Sequence, residues 1–173
     1  MKKLHTLLLM MAAVLSLSLT SCDDDYYYGP GYNYDSDLIG TWELFQANGY
    51  PVTGYDVNWI EFYRNGNGTY YYYDHGQGYE MDLRYDVDFY YSTSKLYISY
   101  ADGSNVTADY WFNNNRTYLY MSWYSGSQPM TYVYRYVNSV DWAPALTRAA
   151  SPLKYQPGDT LPSGLLMPGL TVK

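Results

Sequence analysis

Side chains that could do covalent chemistry are few, and their placement limits what they can do. Of the 2 histidines, only His75 lies beyond the amino-terminal leader, in the run Tyr73-Asp74-His75-Gly76. A general base needs a nucleophile held at hydrogen-bond distance and a third group to orient it. A turn tip supplies neither, so His75 reads as a solvated turn residue. One such histidine and a single cysteine, Cys22, rule out the usual zinc ligand sets. Glu80, Asp82, Asp86 and Asp88 recur at alternate positions and offer hard oxygens suited to calcium. Arg84 in their midst favours a plain solvated strand face. Glu43 and Glu61 would form a hydrolytic pair only across a cleft, and nothing in the sequence turns them towards one. We therefore read the chain as non-enzymatic, with no catalytic residue, metal or cofactor.

Tyrosine is the unusual residue, with 26 copies against 4 Phe and 5 Trp. Its ring buries a large apolar area, yet its hydroxyl needs a partner once inside. Tyr118, Tyr120 and Tyr124 alternate along one segment, and Tyr132, Tyr134 and Tyr136 along the next. Leu119, Met121, Trp123, Val133 and Val137 occupy the intervening positions and are the expected core, which would put all these phenols outside. Outside, they would act as a cross-strand ladder worth ~0.2–1 kcal/mol per pair. They would equally serve as an exposed aromatic platform for a glycan or a protein. Tyr72, Tyr85 and Tyr100 are expected to line the interior, where a small hydrophobic or amphipathic ligand could sit.

The elements that must position these residues are strands. Polar–apolar alternation marks segments 39–46, 57–64, 69–74, 79–91, 95–101, 105–112, 116–124 and 130–138. Alternation is clearest where Tyr79, Met81, Leu83, Tyr85, Val87 and Phe89 share one face. Turn residues separate the segments, as in Asn65-Gly66-Asn67-Gly68, Asp102-Gly103-Ser104 and Asn113-Asn114-Asn115. Connections this short make neighbours antiparallel, because a parallel pair needs a crossover of a dozen or more residues. The expected fold is all-β, an eight-stranded up-and-down barrel that removes its own edges by closing. A two-sheet sandwich is the alternative.

The flanks have other compositions. Lys2 and Lys3 precede an apolar run from Leu7 to Leu19, the form of a secretory signal and too short for a membrane span of ~20 residues. Leu19-Thr20-Ser21-Cys22 resembles the lipobox of bacterial lipoproteins. That resemblance implies cleavage before Cys22, acyl chains on its sulfur and amino group, and anchoring through them, since two or more chains hold where one is marginal. Asp23-Asp24-Asp25 looks like the tag that sends some lipoproteins to the cell surface. A competing rule keeps proteins with an aspartate after the cysteine at the inner membrane. The expected location is the bacterial outer membrane, surface-facing, with a periplasm-facing orientation as the alternative. Losing Lys2 and Lys3 with the leader deepens the net charge of −7, which leaves no basic stripe for nucleic acid. The expected mature protein is a monomer whose only membrane contact is through Cys22.

Residues 1–21 thus form the leader, and 22–37 the lipidated cysteine with an acidic, tyrosine-rich tether spanning ~20 Å root-mean-square. The barrel occupies 38–138. An irregular tail, 139–173, carries Pro144, Pro152, Pro157, Pro162 and Pro168, and could strap along the barrel through Trp142, Leu146 and Leu165-Leu166. Within the barrel, Leu38-Ile39-Gly40-Thr41-Trp42-Glu43-Leu44 resembles the G-x-W opening strand of the lipocalins and of bacterial lipocalin-like lipoproteins. Phe62-Tyr63-Arg64-Asn65-Gly66 is similar to the second strand of the bacterial group. The resemblance implies that Gly40 and Trp42 close one barrel end, with Arg135 from the last strand stacked on the indole.

Overall fold

The computed structural model describes residues 33–52, 58–74, 77–89, 93–140, 152–156, 159 and 167–169. The leader, Cys22, His75, Trp142, Leu146, Leu165 and Leu166 lie outside them. Among the described residues there are ten strands: β1 (Gly40–Ala47), β2 (Tyr50–Pro51), β3 (Asn58–Phe62), β4 (Asn67–Asp74), β5 (Gln77–Phe89), β6 (Ser94–Tyr100), β7 (Asn105–Phe112), β8 (Tyr118–Ser125), β9 (Gln128–Val137) and β10 (Leu153–Lys154). Eight of them form a ring in the order β1-β3-β4-β5-β6-β7-β8-β9, and β9 pairs antiparallel with β1 to close it. This is the expected eight-stranded antiparallel barrel, consistent with a lipocalin-like fold, and there is no second layer as a sandwich would require.

Alternation shapes the wall. On β5, Met81, Leu83, Tyr85 and Val87 are buried, while Asp82 and Arg84 between them are exposed. Phe89 shares the inward parity but is 61% exposed, because the strand ends there. The outward column of carboxylates on β5 belongs in water, since a barrel wall in contact with lipid presents apolar residues.

Two short strands were not foreseen. Asn48 and Gly49 both take positive φ (52° and 83°), the geometry of a two-residue hairpin. The hairpin folds β2 back onto β1, with Ala47 opposite Tyr50. β10 comes from the proline-rich tail. The 13-residue β5 pairs with β6 only from Leu83 onwards, where Leu83 faces Tyr100. Above that point its edge is bare, and β10 adds to it in parallel, Leu153 against Tyr79 and Lys154 against Glu80. The Tyr155 amide donates to the Glu80 carbonyl at 2.8 Å. Tyr155 and Met167 both join the core, Met167 fully buried. The tail is thus part of the barrel's upper end at these residues.

The lower end is closed differently from the expectation. Trp42 is 1% exposed, and its Nε1–H donates to the Leu38 carbonyl at 2.8 Å. Arg135 does not cover it. Thr41 pairs with Val137, Trp42 with Tyr136 and Glu43 with Arg135, and directly paired residues share a sheet face. Arg135 therefore stands outside with Glu43, its Nη2 2.6 Å from the carboxylate. Tyr136 meets the indole edge-on at 5.3 Å instead, and Phe112 lies at 5.6 Å. Gly40 makes room: its φ is +128°, and a Cβ there would lie 2.7 Å from the Tyr136 ring. Residues 33–37, expected in the tether, bind this same end. The Asn33 amide donates to Asp86, Tyr110 donates to Asp35 at 2.9 Å, and Arg116 pairs with Asp37.

Gly40→Ala is expected to destabilise the barrel by about 1–3 kcal/mol, because a strained φ is forced and Tyr136 must leave Trp42. Gly103→Ala, also at positive φ (85°) but with open space around it, should lose only the strain part. Urea denaturation of both variants checks the difference.

Candidate functional site

The interior is floored and walled by rings. Tyr70, Tyr85 and Tyr134 are among the largest fully buried side chains, with Tyr72, Tyr100, Tyr110, Tyr132 and Trp123 close behind. Tyr72, Tyr85 and Tyr100 face inward as expected. They do not form one pocket: Tyr72 stacks on Tyr79 with centroids 5.0 Å apart, and Tyr85 packs edge-on to Phe62 at 4.9 Å. Some of the buried hydroxyls reach a partner. Tyr85 donates to the Tyr63 carbonyl at 2.6 Å and Tyr70 to Asn58 Oδ1 at 2.8 Å.

Among the described residues, three buried donors find no partner: Tyr100 Oη, Tyr134 Oη and Trp123 Nε1. Tyr134 and Tyr132 lie on β9, Tyr100 on β6 and Tyr70 on β4, so phenols from three strands converge in the upper interior. Burial pushes the hydroxyls of Tyr70, Tyr100 and Tyr134 well above the ordinary tyrosine range; neighbouring phenols add to it at Tyr70 and Tyr134, and Asp102 followed by Tyr132 at Tyr100. Proton loss would place charge where nothing solvates it.

Tyr132 and Tyr134 therefore turn inward, Tyr136, though 45% exposed, leans on Trp42 at the barrel end, and the six-phenol outer platform does not form. The hairpin decides this. β8 and β9 are joined through Gly126 and Ser127 alone, so Ser125 pairs with Gln128 and each even residue of β9 faces an odd residue of β8. Leu119 pairs with Tyr134, Met121 with Tyr132 and Trp123 with Met130. Once Leu119, Met121 and Trp123 are inside, Tyr134 and Tyr132 must be too. Ser125-Gly126-Ser127-Gln128 was the available signal, and reading a longer turn there inverts the face.

Tyr118, Tyr120 and Tyr124 do point outward, and partners missed in the sequence complete a different strip. Trp111 on β7, 44% exposed, stacks on Tyr120 at 5.4 Å with an interplanar angle of 7°. Phe45 bulges out of β1 where the register with β9 shifts, and its ring meets Tyr118 at 5.7 Å. The Arg135 guanidinium lies 5.7 Å from the Phe45 centroid while holding Glu43. Val133 joins the strip between Tyr120 and Gln46 by register.

The carboxylates are committed elsewhere. Asp82 pairs with Lys154 at 2.8 Å, Asp88 accepts from Tyr97, and Glu61 accepts from both Tyr63 and Tyr71 at 3.0 Å. Among the described residues, no three His, Cys, Asp or Glu side chains are grouped to hold a metal ion.

A group whose proton is held more tightly in the folded than the unfolded state stabilises the fold below its unfolded pKa. That contribution is lost as pH rises beyond it. Stability should accordingly fall above about pH 10, the ordinary tyrosine value. Phenolate absorbance at high pH should be smaller for native than for urea-unfolded protein, by the Tyr70, Tyr100 and Tyr134 contributions. Tyr134→Phe should be neutral or stabilising by up to about 1 kcal/mol, since it removes a buried unpaired hydroxyl. A strongly destabilised variant would show that this hydroxyl has a partner in solution.

No family model matches the chain, and no curated protein matches it.

Proposed function

We propose that the chain is a non-enzymatic binding module, held at the bacterial outer membrane by acyl chains on Cys22, that contacts its partner through the outer wall of the barrel. The observation carrying this reading is the strip of Trp111, Tyr120, Phe45, Tyr118 and Arg135. Trp, Tyr, Phe and Arg are the residues enriched at the centres of protein interfaces. The Trp111–Tyr120 stack and the Arg135–Glu43 pair hold these side chains in place, so little conformational freedom remains to be lost on binding. A protein partner fits the mixture of rings with an ion pair, and a glycan is the other candidate. The lipobox-like sequence and the docking of residues 33–37 at the lower end are compatible with a barrel hung from its Trp42 end.

A second reading is carriage of a small amphipathic ligand inside the barrel. It is favoured by the unpartnered Tyr100, Tyr134 and Trp123 donors, which a guest with an acceptor oxygen would satisfy. Against it stands the density of rings in the same space. Incubating the protein with mixed lipids and glycans, then identifying retained molecules by mass spectrometry, separates the two.

Cys22→Ser is expected to move the protein from the membrane to the soluble fraction, and persistence in the membrane would refute the anchoring. Trp111→Ala should weaken capture of the partner by about tenfold or more, the loss for an aromatic hot spot, with the thermal midpoint little changed. Retention of full binding would remove the strip from consideration.

A further inference from the structure

On the wall opposite the strip, a groove of about 560 Å3 crosses β4, β5 and β6. Cavities that take small ligands run from about 300 to 1,000 Å3, so the groove has the size for a short oligosaccharide. Its lining includes Tyr63, Asn67, Thr69, Asp82, Arg84 and Ser99. Register places Asn67, Arg84 and Ser99 side by side across three strands, with Thr69 and Asp82 in the next outward row. Tyr63 is exposed, and its hydroxyl is tied to Glu61 at 3.0 Å and Thr69 at 3.2 Å. The ring is thereby fixed at the groove's edge. Gly68 between Asn67 and Thr69 contributes no side chain; a Cβ there would lie 2.3 Å from the Glu61 carbonyl oxygen and 2.8 Å from Leu83.

The electrostatics select among ligand classes. Among the described residues the Arg84 guanidinium makes no hydrogen bond or ion pair, and the residue is exposed on the groove's floor. Asp82 is already balanced by Lys154. Along β5 the guanidinium is flanked by Asp82 and Asp86, and the chain carries a net charge of −7, so a polyanion would be repelled. A cation would meet Arg84. What remains is an uncharged molecule rich in hydroxyls: Arg84 and Asn67 supply donors, Asp82 supplies acceptors, and Ser99 supplies both. The Tyr63 ring offers an apolar surface for the C–H face of a sugar.

We propose that this groove is a binding site for a neutral oligosaccharide, separate from the outer aromatic strip. The test is titration of the purified full chain with neutral gluco-, manno-, galacto- and N-acetylhexosamine oligosaccharides, read by saturation-transfer NMR and calorimetry, with uronate-containing and sulfated oligosaccharides alongside. At least one neutral oligosaccharide should bind, with affinity changing less than about twofold between about 0.05 and 0.5 M salt. Arg84→Met should weaken it by about tenfold or more, the loss expected for a charged hydrogen-bond donor, as should Tyr63→Ala. Tyr50→Ala, at an exposed position on β2 that does not line the groove, should leave it unaltered. Arg84 is exposed, so the variant should fold, and its circular dichroism spectrum checks that. Failure of every neutral oligosaccharide to bind, undiminished binding by folded Arg84→Met, or preferential salt-sensitive binding of an acidic oligosaccharide would each overturn the proposal.

Discussion

Pairing of β1 with β9 is the constraint on which the other features depend. It joins the first and last wall strands, which are far apart in the chain, and so removes the two edges an open sheet would present. The seam is reinforced at its upper end, where Asn48 and Thr131 exchange contacts: the Asn48 amide donates to the Thr131 carbonyl at 2.7 Å, and the Thr131 amide donates to Asn48 Oδ1 at 2.9 Å. The bulge at Phe45 sits within that seam. It throws one ring out of the wall and changes the parity of β1, so that both Leu44 and Ala47 can face the core. Closure, curvature and the exposure of Phe45 are one local event.

A closed barrel then has to solve a problem of composition. A core supplied largely by tyrosine brings a hydroxyl with nearly every ring, and each hydroxyl left unpaired in an apolar interior costs about 1–3 kcal/mol. Several hydroxyls meet it: Tyr85 finds the Tyr63 carbonyl, Tyr70 finds Asn58, and Tyr110 finds Asp35 in the segment before the barrel. Tyr100, Tyr134 and Trp123 find no partner among the described residues, and there the polar accounting does not close. Departures of this kind tend to mark functional or strained places.

Binding potential accordingly divides by location. The outer wall holds an aromatic strip on β1, β7, β8 and β9 and a polar groove on β4, β5 and β6, roughly half a turn apart around the ring. β10 pairs with the upper part of β5, beyond the stretch that meets β6, so the proline-rich tail extends the wall that carries the groove. The Lys154 that balances Asp82 also comes from that tail, which links the groove's charge to the docking of β10.

Alternation and turn chemistry were enough to specify eight strands, their antiparallel pairing and the polar face of β5, because those properties are written in neighbouring residues. The hairpin at Ser125-Gly126-Ser127-Gln128 was also legible, and reading it correctly would have placed Tyr132 and Tyr134 inside. The same parity puts Arg135 outside and Tyr136 inside. Which β1 residues the two meet was not legible, because the register of β9 on β1 is set by closure of the whole ring. The same holds for Phe45 beside Tyr118, Trp111 on Tyr120, and the tail strand on the bare edge of β5. Each is a contact between distant segments, and its geometry exists only once eight strands have been brought round to share one core.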